Sequence, residues 1–314
     1  MEPPSIVKGA TVHRRQAGVC WRVRFRHSTM LVMSARRLLT ATVIIGMAAC
    51  LAGCSVETGV TRELVVDEPL GAAAVTDVQV EMGAGDLTIA PGAVGLASGT
   101  IRYNVESWEP TITRTDTKLT IRQGSQKGVS GLGSEIVNKW NLELGKPPMR
   151  LKVSAGAYEG TFDLSGLTLQ NLSIKDGASR TQIMFNSANP GQMASFDYDT
   201  GASSVTLLGL ANANFRSMTF DGGAGTYSLD FSGQLRSDGS VRLKAAAGSL
   251  RISVPSGTAA QVTIEGTLND VDVEGTWTVV DRTYSTPAAG AQTQGKKLTI
   301  KVEIDVGSVT LVTK

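Results

Sequence analysis

Histidine and cysteine are nearly missing from this 314-residue chain, which has two of one and three of the other, and aromatic side chains make up only 5% of it. Position sharpens the shortage. His13, His27, Cys20 and Cys50 all precede residue 54, so a chain starting at Cys54 carries no histidine and one cysteine. A Ser-His-Asp triad and a Cys-His pair are then excluded, as is a zinc site made of imidazole and thiolate. No disulfide can close within such a chain. A basic surface is lacking as well: from Cys54 onward 22 Lys plus Arg stand against 27 Asp plus Glu, a net charge of −5, although the full chain is at +2. Nucleic acid is therefore excluded as a partner, because its affinity rests on phosphate neutralisation. No segment repeats apolar residues at helical spacing, whereas alternation with a period of two is common.

What is present begins with an export signal. Ser34-Ala35-Arg36-Arg37 supplies a charged start, Leu38 to Cys50 an apolar run of thirteen residues, and Leu51-Ala52-Gly53-Cys54 a cleavage site of small residues ending in cysteine. The run is too short to span a bilayer comfortably. Residues 33–53 are read as a lipoprotein signal peptide and Cys54 as the lipidation site, with residues 54–74 as lipidated N-terminus and tether. Two buried acyl chains hold a protein to a membrane where one binds only marginally. The expected location is the extracytoplasmic face of the cell membrane, with inner and outer membrane left open. Residues 1–32 hold six basic residues and one acid without a hydrophobic period. They read as an upstream extension from a start assigned too early, with Met1, Met30 and Met33 as the alternatives.

The remainder repeats itself. VQVEMGAGDLTI at 78–89, LKVSAGAYEGTFDL at 151–164, LSIKDGASRTQIMF at 172–185, FDYDTGASSVTLLG at 196–209, MTFDGGAGTYSLDF at 218–231, VRLKAAAGSLRISV at 241–254 and IKVEIDVGSVTLVT at 300–313 align on Ala84, Ala157, Ala178, Ala202, Ala224, Ala247 and Val306. From 157 to 247 the steps are 21, 24, 22 and 23 residues, within the range of repeat architectures. Six and four residues before each anchor, and five after it, every column is apolar, while the positions between are mostly polar. Alternate side chains of a strand face opposite ways. The reading is an all-β, β-solenoid-like stack of two-strand rungs joined at glycine corners, with a period of about 22 residues and a right-handed β-helix-like course. Residues 75–150 form a less regular N-terminal segment and 151–314 the repeat segment, with irregular caps at 90–150 and 266–299. Trp108, Trp140 and Trp277 fall in these caps and read as plugs over the core.

Several motifs in the chain touch on chemistry. Gly222-Gly223-Ala224-Gly225 starts like a calcium-binding nonapeptide, but Tyr227 stands where its aspartate belongs. Gly131-Leu132-Gly133 lies in a polar loop, outside the strand-to-helix setting of a dinucleotide site. Paired carboxylates can cleave glycosidic bonds without histidine, and Asp197 with Asp199 is the closest such pair, with Asp163, Asp176, Asp221 and Asp230 on neighbouring rungs. All six read as solvated charge on outward positions. No catalytic residue, cofactor or metal is assigned.

The stretches VEMGAGDLTI at 80–89, WNLELGKPPMRLKVSAGAYEGTFDLSGLTLQNLSIKDGAS at 140–179, FNSANPGQM at 185–193 and GGAGTYSLDFSG at 222–233 resemble the toast-rack domain of bacterial envelope proteins, which include membrane-anchored regulators of the response to cell-wall-active antibiotics. The likeness runs from about residue 75 to the C-terminus. It implies a β-solenoid-like stack with a role in envelope-stress sensing or scaffolding, usually without catalysis. Those regulators commonly carry several transmembrane helices where this chain has a cleaved lipid signal, which puts direct signalling across the membrane in doubt. The expected function is a non-catalytic, lipid-anchored binding or scaffold module with an envelope polymer or protein as partner. The alternatives are a carbohydrate-active β-helix enzyme and a surface adhesion protein.

Overall fold

The computed structural model describes residues 58–124, 135–266, 268–290 and 295–314. Cys54, the signal segment and Gly131-Leu132-Gly133 lie outside the described residues. Sixteen strands form one open sheet: β1 (Arg62–Glu68), β2 (Thr76–Pro91), β3 (Ala97–Tyr103), β4 (Thr111–Arg114), β5 (Lys118–Arg122), β6 (Asn138–Leu144), β7 (Met149–Asp163), β8 (Leu169–Met184), β9 (Met193–Leu208), β10 (Phe215–Asp230), β11 (Gly239–Val254), β12 (Ala259–Glu265), β13 (Leu268–Glu274), β14 (Thr278–Val280), β15 (Thr283–Ser285) and β16 (Lys297–Thr313). Helix among the described residues is limited to single turns, such as Leu210–Ala213 and Pro287–Gly290. No described helix is long and apolar enough to cross a membrane.

Seven long strands, β2, β7, β8, β9, β10, β11 and β16, run parallel and side by side. Their register is that of the sequence alignment. Ala84 lies opposite Ala157, then Ala178, Ala202, Ala224, Ala247 and Val306 in one row. The column six before the anchor is likewise one row, from Val78 through Leu151, Leu172, Phe196, Met218 and Val241 to Ile300. Each copy is a single bent strand of 15 to 17 residues, where two strands joined by a glycine turn were expected. The bend is tight enough to keep the ladder continuous on both sides of it.

Burial explains the bend. In β10, Met218, Phe220 and Gly222 are buried before the corner, and Tyr227 and Leu229 after it, so the buried parity changes from even to odd. A straight strand with that change would expose one half of its apolar residues. Bending at the anchor turns both halves toward one core, and the Phe220 and Tyr227 rings meet across it with centroids 5.0 Å apart. Connecting segments add Leu164, Leu167, Phe185, Leu210 and Phe231. One core runs from Val66 to Leu311, so the described part of the chain carries its own core. Each fully buried Leu, Ile, Val or Phe contributes roughly 1.5–3 kcal/mol of apolar transfer.

Glycine makes the corner close-packed. A Cβ on Gly177, Gly201 or Gly223 would meet the carbonyl oxygen of the glycine one strand before it, Gly156, Gly177 and Gly201 respectively. In β11 and β16 the glycine moves to the other side of the anchor, where Gly248 and Gly307 adopt φ of +128° and +147°, a region that L side chains disfavour.

The less regular parts extend the stack at its ends. On the β2 side, β5 and β4 continue the first arm, and β6, β3 and β1 the second. Within the stretch read as tether, Arg62–Glu68 is a strand paired antiparallel with β3. On the β16 side, β12, β15 and β14 continue the first arm and β13 the second.

Candidate functional site

The inner corner of the stack holds one carboxylate among hydroxyls. Asp176 sits two residues before its anchor on β8, with the parity of Leu172 and Ile174, so the strand directs it inward. Its Oδ2 accepts hydrogen bonds from Tyr198 Oη at 2.8 Å, Ser179 Oγ at 3.1 Å and Tyr158 Oη at 3.3 Å. Its Oδ1 accepts from Thr200 Oγ1 and from Ser203 Oγ at 3.4 Å. The expectation that all six mid-array acids are solvated therefore fails at Asp176, which is half-buried and has no salt-bridge partner among the described residues. Hydrogen-bond donors satisfy the charge in place of a salt bridge.

Three tyrosines surround this carboxylate. Burial, reinforced by the Asp176 charge, raises the Tyr158 hydroxyl above its ordinary range. Burial raises Tyr198 as well, with Tyr158 and Asp176 adding to the effect. Tyr227 is raised by burial and then by Asp176, and its hydroxyl has no hydrogen-bond partner. The raised tyrosine hydroxyls stay protonated at neutral pH and serve the cluster as neutral groups.

Gly222 and Gly225 owe their identity to the same corner. A Cβ on either would run into the Tyr227 ring. Gly223 lies against the Gly201 carbonyl. Ring packing thus accounts for the glycines that resembled a calcium motif. Among the described residues no three His, Cys, Asp or Glu side chains gather as a metal site.

On the opposite, solvent side of the corner, the small anchors leave a shallow groove of about 570 Å³. Ala157, Ala178 and Ala202 line it together with Tyr158, Ser179 and Ser204. Its charged lining is matched across strands, Lys139 with Asp86 at 3.4 Å and Arg180 with Glu159 at 3.8 Å. These pairs are exposed and contribute little to stability. They leave a groove of small and hydroxyl-bearing groups between neutralised walls.

Asp197 and Asp199 are exposed on the outward face of β9. Asp199 pairs with Lys175 at 3.0 Å, and Asp197 accepts from Ser195 at 2.9 Å. They lie on the first arm, apart from the groove. Asp163 and Asp230 instead cap turns, accepting from the backbone N–H of Ser165 and Ser232 at 3.0 and 2.9 Å. Trp140 is buried in the core at the β2 end and Trp277 packs partly buried against it at the other, while Trp108 is buried in the single turn Glu106–Trp108, outside that core cluster. A second buried polar set closes the β2 end: Gln123 Oε1 accepts from Gly83 N at 2.8 Å and Asn138 Nδ2 at 3.0 Å, while Trp140 Nε1 donates to Asn138 Oδ1 at 2.8 Å.

A row of small anchors, a parallel ladder in register and glycine corners define the structural class, and residues 56–208 match the model of the N-terminal domain of toast_rack. Residues 56–208 carry an N-terminal toast-rack domain. The match begins ahead of β1 and ends at the last residue of β9, so it includes the alanine groove and the Asp176 cluster apart from Tyr227. No curated protein matches the chain. Among solved structures, a proposed cell adhesion protein from Clostridium sporogenes is 20% identical, covering 81% of this chain and 99% of its own, with a TM-score of 0.45. A proposed adhesin from Bacteroides fragilis is 9% identical over 82% and 99%, with a TM-score of 0.30. A proposed lipid binding protein from Parabacteroides distasonis is 10% identical over 81% and 97%, with a TM-score of 0.28. Scores this low transfer no property to the toast-rack chain.

Proposed function

We propose that the chain is a non-catalytic, lipid-anchored binding or scaffold module on the extracytoplasmic face of the cell membrane, tied to envelope-stress sensing or envelope interaction. The observation that carries this reading is the outer corner groove, where Ala157, Ala178 and Ala202 repeat in register between matched ion pairs. In a solenoid-like coil of about 22 residues per turn, neighbouring strands repeat such contacts about every 4.8 Å. That spacing suits an extended polymer or chain lying across the strands. Buried groups inside the corner stiffen the groove, since Tyr158 and Ser179 belong both to its lining and to the Asp176 network.

Membrane attachment is assigned to Cys54 by its signal sequence. Cells fed an alkyne fatty acid are expected to label the wild-type protein and not Cys54→Ala, with the variant released from the membrane fraction. Equal labelling of the two would remove the anchor from the proposal.

A further inference from the structure

At the β16 end the two arms stop unevenly. The first continues through β12, β15 and β14, but the second through β13 alone. β13 pairs with β16 and with no other described strand, so its far edge has no partner strand among the described residues; Glu274 O, at its end, accepts from Trp277 Nε1. Val273 shows the consequence. It lies opposite Leu311, in the column of Ile252 and Leu229, all three of which are 0% exposed, yet Val273 is 44% exposed. The core column reaches the edge unfinished.

The outward side of the same strand is unmatched in charge. Elsewhere acids repeatedly face a base on an adjacent strand, as in Asp77–Arg150, Asp199–Lys175 and Glu159–Arg180. Asp270 and Asp272 are exposed and have no cationic partner among the described residues. Only Glu274 at the strand's end is paired, with Arg251 at 2.8 Å. A second copy is a poor occupant. The other open edge of this arm, β1, carries Glu63, Asp67 and Glu68 against Arg62, whose guanidinium already meets Glu106.

We propose that β13 is a docking edge that takes an extended segment of another polypeptide as an added strand, with Lys or Arg facing Asp270 and Asp272 and apolar residues continuing the Val271 and Val273 side. Backbone pairing supplies affinity in strand addition, and alternate side chains supply selectivity. The idea rests on the binding-module reading but uses a surface other than the groove.

The test uses residues 58–314, which carry the core, and a fluorescein-labelled peptide alternating Lys and Val, with anisotropy as readout. The expected result is saturable binding, weakened at least tenfold by Asp270→Lys/Asp272→Lys, which gains binding of the matching Glu-Val peptide. A Lys-Val peptide N-methylated at alternate residues keeps its charge and is expected to lose at least tenfold. Failure to bind, binding that survives N-methylation, or indifference to the charge swap would each overturn the proposal and leave the acids as guards of a bare edge. Thermal melts of the swapped variant check its fold. Its retention on envelope polymers is scored in parallel: retained polymer with lost peptide binding is the expected pattern, whereas loss of both counts against a separate β13 site.

Discussion

Tyr198 on β9 donates a 2.8 Å hydrogen bond to Asp176 on β8, joining two strands through their inner corner. The pair sets the character of the corner. A carboxylate removed from water must be satisfied by charge or by hydrogen bonds, and here hydroxyls from three successive strands supply them. The toast-rack stack thus locks β7, β8 and β9 together beneath the groove.

Asp176→Ala leaves several buried hydroxyls without an acceptor, each at a cost of about 1–3 kcal/mol. A loss of about 2–4 kcal/mol is expected in urea denaturation, since Thr200 and Ser203 can still bond each other. Asp197→Ala, on the exposed face of β9, is expected to stay within about 0.5 kcal/mol. Equal effects would show that Asp176 is solvated.

Alkaline pH provides a separate reading of the same corner. Tyr158, Tyr198 and Tyr227 are all raised above the ordinary value of 10.0 by burial. A raised folded value means that the unfolded chain loses its protons first, so stability is full below about pH 10 and falls as pH climbs above it. Tyrosinate absorbance near 295 nm is expected to show these three ionising only with unfolding, and Tyr198→Phe to flatten the alkaline loss. Early titration of all tyrosines in the folded protein would contradict the packing.

At the corner itself, Gly248→Ala forces a side chain onto φ of +128° and against the Gly225 carbonyl. A loss of about 1–3 kcal/mol or more is expected from the backbone strain and the collision. Gly257→Ala has open space and no positive φ, and is expected to be neutral or to stabilise by about 0.4–1 kcal/mol. Thermal melts of the two variants in the reverse order would refute the corner geometry.

Leu207 is 0% exposed and shares a row with Ile183 and Leu229. Leu207→Ala is expected to cost about 2–5 kcal/mol, while its outward neighbour Thr206→Ala costs about 0.5 kcal/mol or less. Denaturation midpoints with similar shifts for both would place the register one residue off.

The rows were legible because a strand buries every second side chain, and seven copies in one phase fix the pairing residue by residue. The edge strands β1 and β13 were not. β1 has one fully buried residue, Val66, and β13 alternates valine with acids, so neither carries enough burial to signal itself. Asp176 was missed despite sharing the parity of Leu172 and Ile174, because a charged residue on a strand was read as outward. The hydroxyls at 179, 181, 200 and 203 were the available signal, clustered on consecutive strands around the same corner. The groove was hidden for another reason. It is made by alanines, which mark a register in sequence and become a site only when their strands stack.

The central claim, that the alanine groove holds an envelope polymer without turning it over, is tested most directly by retention of residues 58–314 on peptidoglycan, teichoic acid and common polysaccharides, with released product measured alongside. The account predicts retention on at least one of them with no product, and at least a tenfold loss of retention in Ala178→Trp, which fills the groove while its melting temperature is preserved. Product release abolished by Asp197→Asn or Asp199→Asn would contradict it and make the chain a carbohydrate-active enzyme.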